Sequence, residues 1–254
     1  MKILGMLIPH PKGQYLFLKG IDPYSCGVLA VQGQEIVRVT LGKLMPWREG
    51  FDWVDDYLRR HGRDRFALCA MELRSPRPFT MQGFIQFNRG YCDVLKQWGV
   101  YVDGLNPVAR TNVAPVFDPP ATPSLYAFSF TRPVSTATRP TFVVAGAGEL
   151  RDGILEAGRI VRPGETTPDA MAEKATYVMG VMEERLKGLG VAWDRVTAVD
   201  VYTAHPMDSL IRTTLLPGFG AAVRHGLHLF PAHPPIEDIE FEMDVRGVCG
   251  EEAC

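Results

Sequence analysis

Thr167-Pro168-Asp169 opens, and Val196-Thr197-Ala198-Val199-Asp200-Val201-Tyr202-Thr203 closes, a run that reads as one helix followed by one strand. Threonine before proline is a helix start. The hydroxyl caps a free backbone N–H, and proline at the first helical position gives up a donor that had no intrahelical partner. Beyond it Met171, Ala175, Val178, Met179, Met182, Leu186 and Leu189 build one apolar stripe, with Glu173, Lys174, Glu183, Glu184 and Lys187 away from it. Gly188 and Gly190 end the helix. A helix with one apolar face, followed at once by a β-branched alternating run, predicts a helix lying on a sheet.

Working outward, Phe142-Val143-Val144-Ala145-Gly146 is a short strand upstream, and a second helical stretch runs from about Met207 to Val223 downstream. Two more strands follow, Gly226 to Phe230 and Ile239 to Val245. The last alternates strictly: Ile239, Phe241, Met243 and Val245 pack, while Glu240, Glu242 and Asp244 share the other face, which for Glu242 and Asp244 is expected to be solvated. The first half gives a similar series. Tyr15 to Leu18, Val28 to Val31, Glu35 to Thr40, Phe66 to Leu73 and Leu125 to Phe130 read as strands, with helices over Phe51 to Arg60 and Met81 to Trp98. Between the halves, Thr131 to Pro140 is polar and Pro-flanked, the pattern of a linker. The expected organisation is α+β: domains at 1–132 and 141–254, a linker at 133–140, and helices on one face of each mixed sheet.

The two halves also suggest a duplication. With Leu125-Tyr126 set against Ile239-Glu240, Arg110 and Arg224 each fall sixteen residues before the aligned position, each after an Ala-Val or Val-Ala pair and each before a Phe and a Pro-Pro pair. In that alignment Tyr126 stands where Glu240 does, so the two sites are expected to be unequal.

Composition excludes several classes. A formal net charge of -2 with 22% charged residues gives no basic stripe for nucleic acid or for an anionic membrane surface. No apolar run reaches the length of a membrane-spanning helix, and the short one at Met1 to Ile8 reads as a first strand, not as a signal peptide. Five cysteines without a CxxC pair indicate neither a zinc site nor a disulfide framework, and the cytoplasm is the expected compartment. Gly146-Ala147-Gly148-Glu149 lacks the context of a dinucleotide loop. His205, His225, His228 and His233 invite a metal reading, but His225 and His228 would face opposite sides of a strand. No metal and no cofactor are expected.

Gly158 to Val161, Met182 to Leu186, Leu189 to Val196 and Val201-Tyr202-Thr203, followed by an Arg, a Pro-containing turn and a last strand Ile239-Glu240-Phe241-Glu242, form an ordered set. From Thr141 to Val248 this set resembles the Rid (YjgF/RidA) superfamily. The resemblance implies tandem chorismate-mutase-like, Rid-type domains, assembly as a homo-oligomer (usually a trimer) with sites at clefts, and hydrolysis of enamines or imines. It further implies that Arg224 anchors a substrate carboxylate and that Glu240 positions or activates water. The family's Tyr near its amino terminus has no obvious counterpart after Arg139, so either the other domain supplies it or the site has changed.

Residue chemistry fits these roles. A guanidinium offers a planar two-donor fork and stays charged when desolvated, so Arg224 and, through the repeat, Arg110 suit a dicarboxylate. Gly226 and Tyr126 are grouped with them as substrate-binding positions. A Glu240 facing a closed cleft would exchange protons near neutrality, and His225 or His205 could serve as an acid. The expected function is cofactor-independent hydrolytic deamination of a small enamine or imine acid, with a 2-aminomuconate-like dicarboxylate from aminoaromatic breakdown as the favoured substrate. A chorismatase-like hydrolase and a non-catalytic ligand-binding protein on the same fold are the alternatives.

Overall fold

The computed structural model describes residues 7–135 and 139–254. The centre of the expected linker and the first part of the amino-terminal apolar run lie outside the described residues. In chain order the strands and helices are β1 (Leu7–His10), β2 (Tyr15–Leu18), β3 (Gly27–Ala30), β4 (Gln34–Pro46), α1 (Trp47–Arg60), β5 (Leu68–Arg74), α2 (Met81–Gln97), β6 (Ala109–Pro115), β7 (Ser124–Pro133), β8 (Phe142–Gly148), α3 (Pro168–Gly188) and β9 (Ala198–Thr203). A short helical segment, Asp208–Leu210 and Leu216–Gly218 around a π-turn at Ile211–Leu215, precedes β10 (His228–His233), β11 (Glu242–Gly247) and β12 (Gly250–Ala253).

The local signals act as read. Thr167 Oγ1 accepts the N–H of Ala170 at 3.3 Å and Pro168 takes the first helical position of α3. Arg185 and Lys187 sit in the last turn, where cations face the negative end of the helix dipole. Gly190 follows with φ +73°, a backbone that a side chain would strain.

The strands form one twelve-stranded sheet in which two four-strand blocks repeat, β6-β5-β7-β4 and β10-β9-β11-β8. In each block the first two strands are parallel and the rest antiparallel. Each block follows the same β-α-β-helix-β-β order, so the chain is a tandem repeat of one α+β unit. The blocks meet where β6 runs antiparallel to β10, with Ala232 opposite Pro115. Two ladders also cross between the halves at their far edges. β3 pairs with β8, Val28 opposite Val143, so strands from the start of the chain extend the second block. β12 runs parallel to β4, Glu252 opposite Val39, so the end of the chain extends the first.

Helices cover one side of each block. Met171, Val178, Met182 and Leu186 of α3 pack on Val144, Val201 and Met243, while Phe51, Val54 and Leu58 of α1 and Tyr91 and Leu95 of α2 pack on Val39, Met71 and Phe128. The other sides face each other. Part of that inner layer is apolar, with Phe17, Val28, Ile36 and Ala145 among its members, and part is charged. Arg38 pairs with Glu72 at 2.6 Å, Asp200 with Arg246 at 2.6 Å and Arg246 with Glu251 at 2.9 Å. Arg74 lies against the Tyr126 ring at 4.1 Å.

This double-sided burial corrects two expectations. Glu242 and Asp244 are not solvated, because the face they share is the inner one. Lys174, assigned to the polar side of its helix, is wholly buried. β6 is not among the strands expected above: Ala109-Arg110-Thr111-Asn112 shows no apolar alternation because its sides meet a cavity and the polar interior. Among the described residues no helix is long and apolar enough to cross a membrane.

Candidate active site

Where β6 of the first half closes against β8 of the second, a cavity of about 310 Å³ opens between them. That is the lower end of the range for small-molecule sites. Arg110 and Asn112 come from β6, Gly146 and Gly148 from β8, Tyr177 and Arg185 from α3, Glu242 from β11, and Lys19, Tyr24 and Cys26 from the segment between β2 and β3. Ile236 and Ile239 supply an apolar wall.

Arg110 is almost wholly buried in an aromatic cage, with Tyr91 at 4.7 Å and Tyr24 at 5.1 Å from its guanidinium. Its Nη2 donates to Asn88 Oδ1 at 2.7 Å, and its Nη1 has no acceptor among the described residues. A buried guanidinium stays charged, so an anion is the group that satisfies it. Asn112 adds a second donor. Ser75 Oγ donates to its Oδ1 at 2.9 Å, which fixes the amide, and the Nδ2 has no acceptor among the described residues. The cavity also has a cation on the α3 side. A register shift between Met243 and Val245 in the β8–β11 ladder exposes the carbonyls of Ala145 and Gly146, and Arg185 Nη1 donates to them at 2.8 and 3.3 Å.

Glu242 is the buried acid of the cavity. Gly146 makes room for it, since a Cβ there would collide with Glu242 Oε1. Burial pushes its carboxyl well above the usual range, and the negative charge of Asp244 adds to the rise. Asp244 itself is pushed up to about 7, by burial first and then by Asp200 and Glu72. It accepts from Thr111 Oγ1 at 2.7 Å and from Tyr202 OH at 3.0 Å, while Gly146 N–H donates to the same Thr111 hydroxyl at 3.1 Å. One threonine thus ties β6 to both β8 and β11 beneath the cavity.

Of the residues expected from sequence, Arg110 lines this cavity and the others do not. Arg224 and His225 are exposed in a 3-10 turn, and Arg224 Nε donates to His225 Nε2 at 3.0 Å. Gly226 ends that turn with φ +71°. The sequence alignment paired Arg224 with Arg110, but strand register does not. Arg110 lies opposite Met71 on the helix-covered side of β6, whereas on that side of β10 Leu229 stands opposite Val201 and Arg224 precedes the strand. Glu240 precedes β11 and pairs outward with His205, Oε2 to Nε2 at 2.8 Å. Tyr126 stacks on Arg74 in the inner layer. His228 pairs with Asp200 at 2.8 Å, and among the described residues no group of three or more His, Cys, Asp or Glu is placed to hold a metal ion.

Sequence reasoning missed Asn112, Arg185, Tyr24 and Glu242 as cavity residues. For Glu242 the signal was present in the strict alternation of the last strand, and only the burial of its polar face was hidden. Tyr24 belongs to the first half, outside the residues after Arg139 that were searched for a tyrosine.

A family model described as 2-aminomuconate deaminase CnbZ matches residues 7–252. A 2-amino-5-chloromuconate deaminase of Comamonas testosteroni is 43% identical over 242 residues, covering 94% of this chain and 95% of that protein. Among solved structures, a chorismatase covers 96% of this chain and 78% of its own, with 13% identity and a TM-score of 0.48. A protein described as an endoribonuclease from Thermotoga maritima covers 46% of this chain and 83% of its own, with 20% identity and a TM-score of 0.31. Both the family match and the 43% identity run nearly the full length, and the chain belongs to the 2-aminomuconate deaminase family.

Proposed function

We propose that this protein hydrolyses the enamine of a 2-aminomuconate-like dicarboxylate to the ketone, releasing ammonia, in the cavity between its two halves. The observation that carries the reading is the convergence of two arginines and a buried acid on one cavity, Arg110 and Arg185 with Glu242. Two carboxylates at the ends of a conjugated chain call for two cations, and the apolar wall of Ile236 and Ile239 suits the carbons between them. Arg110 Nη1 and Asn112 Nδ2 are the donors for the carboxylate at the deep end. Arg185, with Lys19 at the edge, meets the other.

Glu242 carries the proton. Held above the ordinary carboxyl range, it starts as an acid and protonates the carbon next to the amine-bearing carbon, which converts the enamine to an iminium ion. The resulting carboxylate takes a proton from water as the water oxygen bonds to the iminium carbon. Collapse of that adduct forms the C=O bond, breaks the C–N bond and returns a proton through Glu242 to the departing amine. Enamine and water in, ketone and ammonia out, the step balances without a redox partner. Fixed dipoles and the two arginines hold the substrate in place while this occurs.

The family resemblance also supports a homo-oligomer, with a trimer favoured, and a cytoplasmic setting. The test of function is direct: purified protein is incubated with 2-aminomuconate, ammonia release is followed, and loss of absorbance from the conjugated enamine is recorded in parallel. No ammonia above the non-enzymatic rate would sink the reading.

A further inference from the structure

Glu149 and Lys174 form an ion pair, Nζ to Oε1 3.0 Å, in which neither side chain reaches solvent. The reaction just described uses neither. A pair buried this deeply is a poor source of stability, since the cost of desolvating both ions offsets their attraction. Its place in the fold points elsewhere. Glu149 lies between two cavity residues, Gly148 and Leu150. Its Oε1 accepts the N–H of Glu240 at 2.7 Å and its Oε2 that of Phe241 at 3.1 Å. These two residues precede β11 and have no ladder of their own, so without Glu149 the part-buried donor of Glu240 and the buried donor of Phe241 would lose their partner. They are flanked by Ile239 and Glu242, both in the cavity. Lys174 comes from α3, which also carries Tyr177 and Arg185. Three walls of the cavity therefore meet on one carboxylate.

We propose that the Glu149–Lys174 pair is a positioning device, which locks the backbone ahead of β11 to α3 so that Glu242 is held against the substrate opposite Arg185. The claim rests on Glu242 as the proton carrier of the proposed reaction. Electrostatics agrees with the geometry, because the charge of Glu149 is one of the influences that push the Glu242 carboxyl up.

The test compares wild type with Glu149→Gln and with the double variant Glu149→Gln/Lys174→Met, which leaves neither ion buried alone. Folding is followed by circular dichroism, kcat and KM are measured on 2-aminomuconate across pH, and the Glu242 carboxyl is titrated by infrared difference spectra against Glu242→Gln. The expected result is a folded protein with kcat lowered roughly 10- to 100-fold, as for a misplaced catalytic group. KM should change little, and the Glu242 titration should move to lower pH. A folded double variant with wild-type kcat and an unmoved Glu242 titration overturns the proposal. Should neither variant fold, hydrogen exchange on the intact wild type decides: amides of Glu240 and Phe241 as slow as those of β11 support the lock, and exchange as fast as in exposed loops overturns it. If wild type releases no ammonia, the deaminase reading fails, while the infrared titration still decides the pair.

Discussion

In the proposed reaction Glu242 and Arg110 divide the work of the cavity, and single substitutions separate them. Glu242→Gln keeps the shape and removes the proton, so kcat is expected to fall by about 10²- to 10⁴-fold with KM little changed. Arg110→Met removes a buried charge that binds, and should raise KM by about 10- to 100-fold. Arg224→Ala, on the exposed turn, is expected to leave both constants near wild type; a large loss there would reinstate the site read from sequence. Asp244 governs a pH effect on stability. Its carboxyl rises from an ordinary 3.8 to about 7 on folding, so between those values the folded state holds a proton that the unfolded state has released. The contribution of Asp244 to stability therefore falls as pH rises from about 4 to about 7 and changes no further above. Asp244→Asn can still accept from Thr111 and Tyr202. Urea unfolding at pH 5 and pH 8 should show the variant gaining on wild type at the higher pH.

The helices were legible because each obeys a local rule. The steps of three and four in α3, its Thr167 cap and its closing glycines are all within the sequence of one element. Thr167→Ala should cost about 1 kcal/mol in urea unfolding, the usual value of a lost cap, with activity unaffected. Strand residues were harder to read, for a physical reason. Alternation reports that a strand has two faces but not what covers each, and in this fold the second face of β5, β9 and β11 meets the other half of the molecule. Asp200 and Asp244 look like surface residues in the sequence and are buried, and Asp244 takes its hydrogen bond from Thr111 of the other half. The duplication was legible in outline, but its register was not. Sixteen residues separate Arg110 from Tyr126 and Arg224 from Glu240, yet only the first of those arginines lies on a strand. The buried pair of Glu149 and Lys174 was missed because a lysine was taken for a surface residue by type, although its spacing, three after Met171 and four before Val178, puts it in the apolar stripe of α3.

At the scale of the molecule, each half is completed by the other. β3 supplies the neighbour that β8 needs and β12 supplies the one that flanks β4. Unfolding should therefore be a single calorimetric transition, and residues 141–254 produced alone should be unfolded or aggregated, since Phe142 to Val144 would present a bare hydrophobic edge. A soluble, cooperatively folded fragment would count against this. The crossed ladders also bear on how such proteins can be recombined. A chimera that joins the first half of one family member to the second half of another at the connection after Pro133 looks like a clean exchange of modules. It would instead mate a foreign β3 to β8, a foreign β12 to β4, and one parent's Arg110 to the other parent's Glu242. Shuffling keeps both ladders native only when strands β1 to β3 travel with the second half and β12 with the first, and even then the cavity is shared between parents, so the natural unit of inheritance here is the knitted whole.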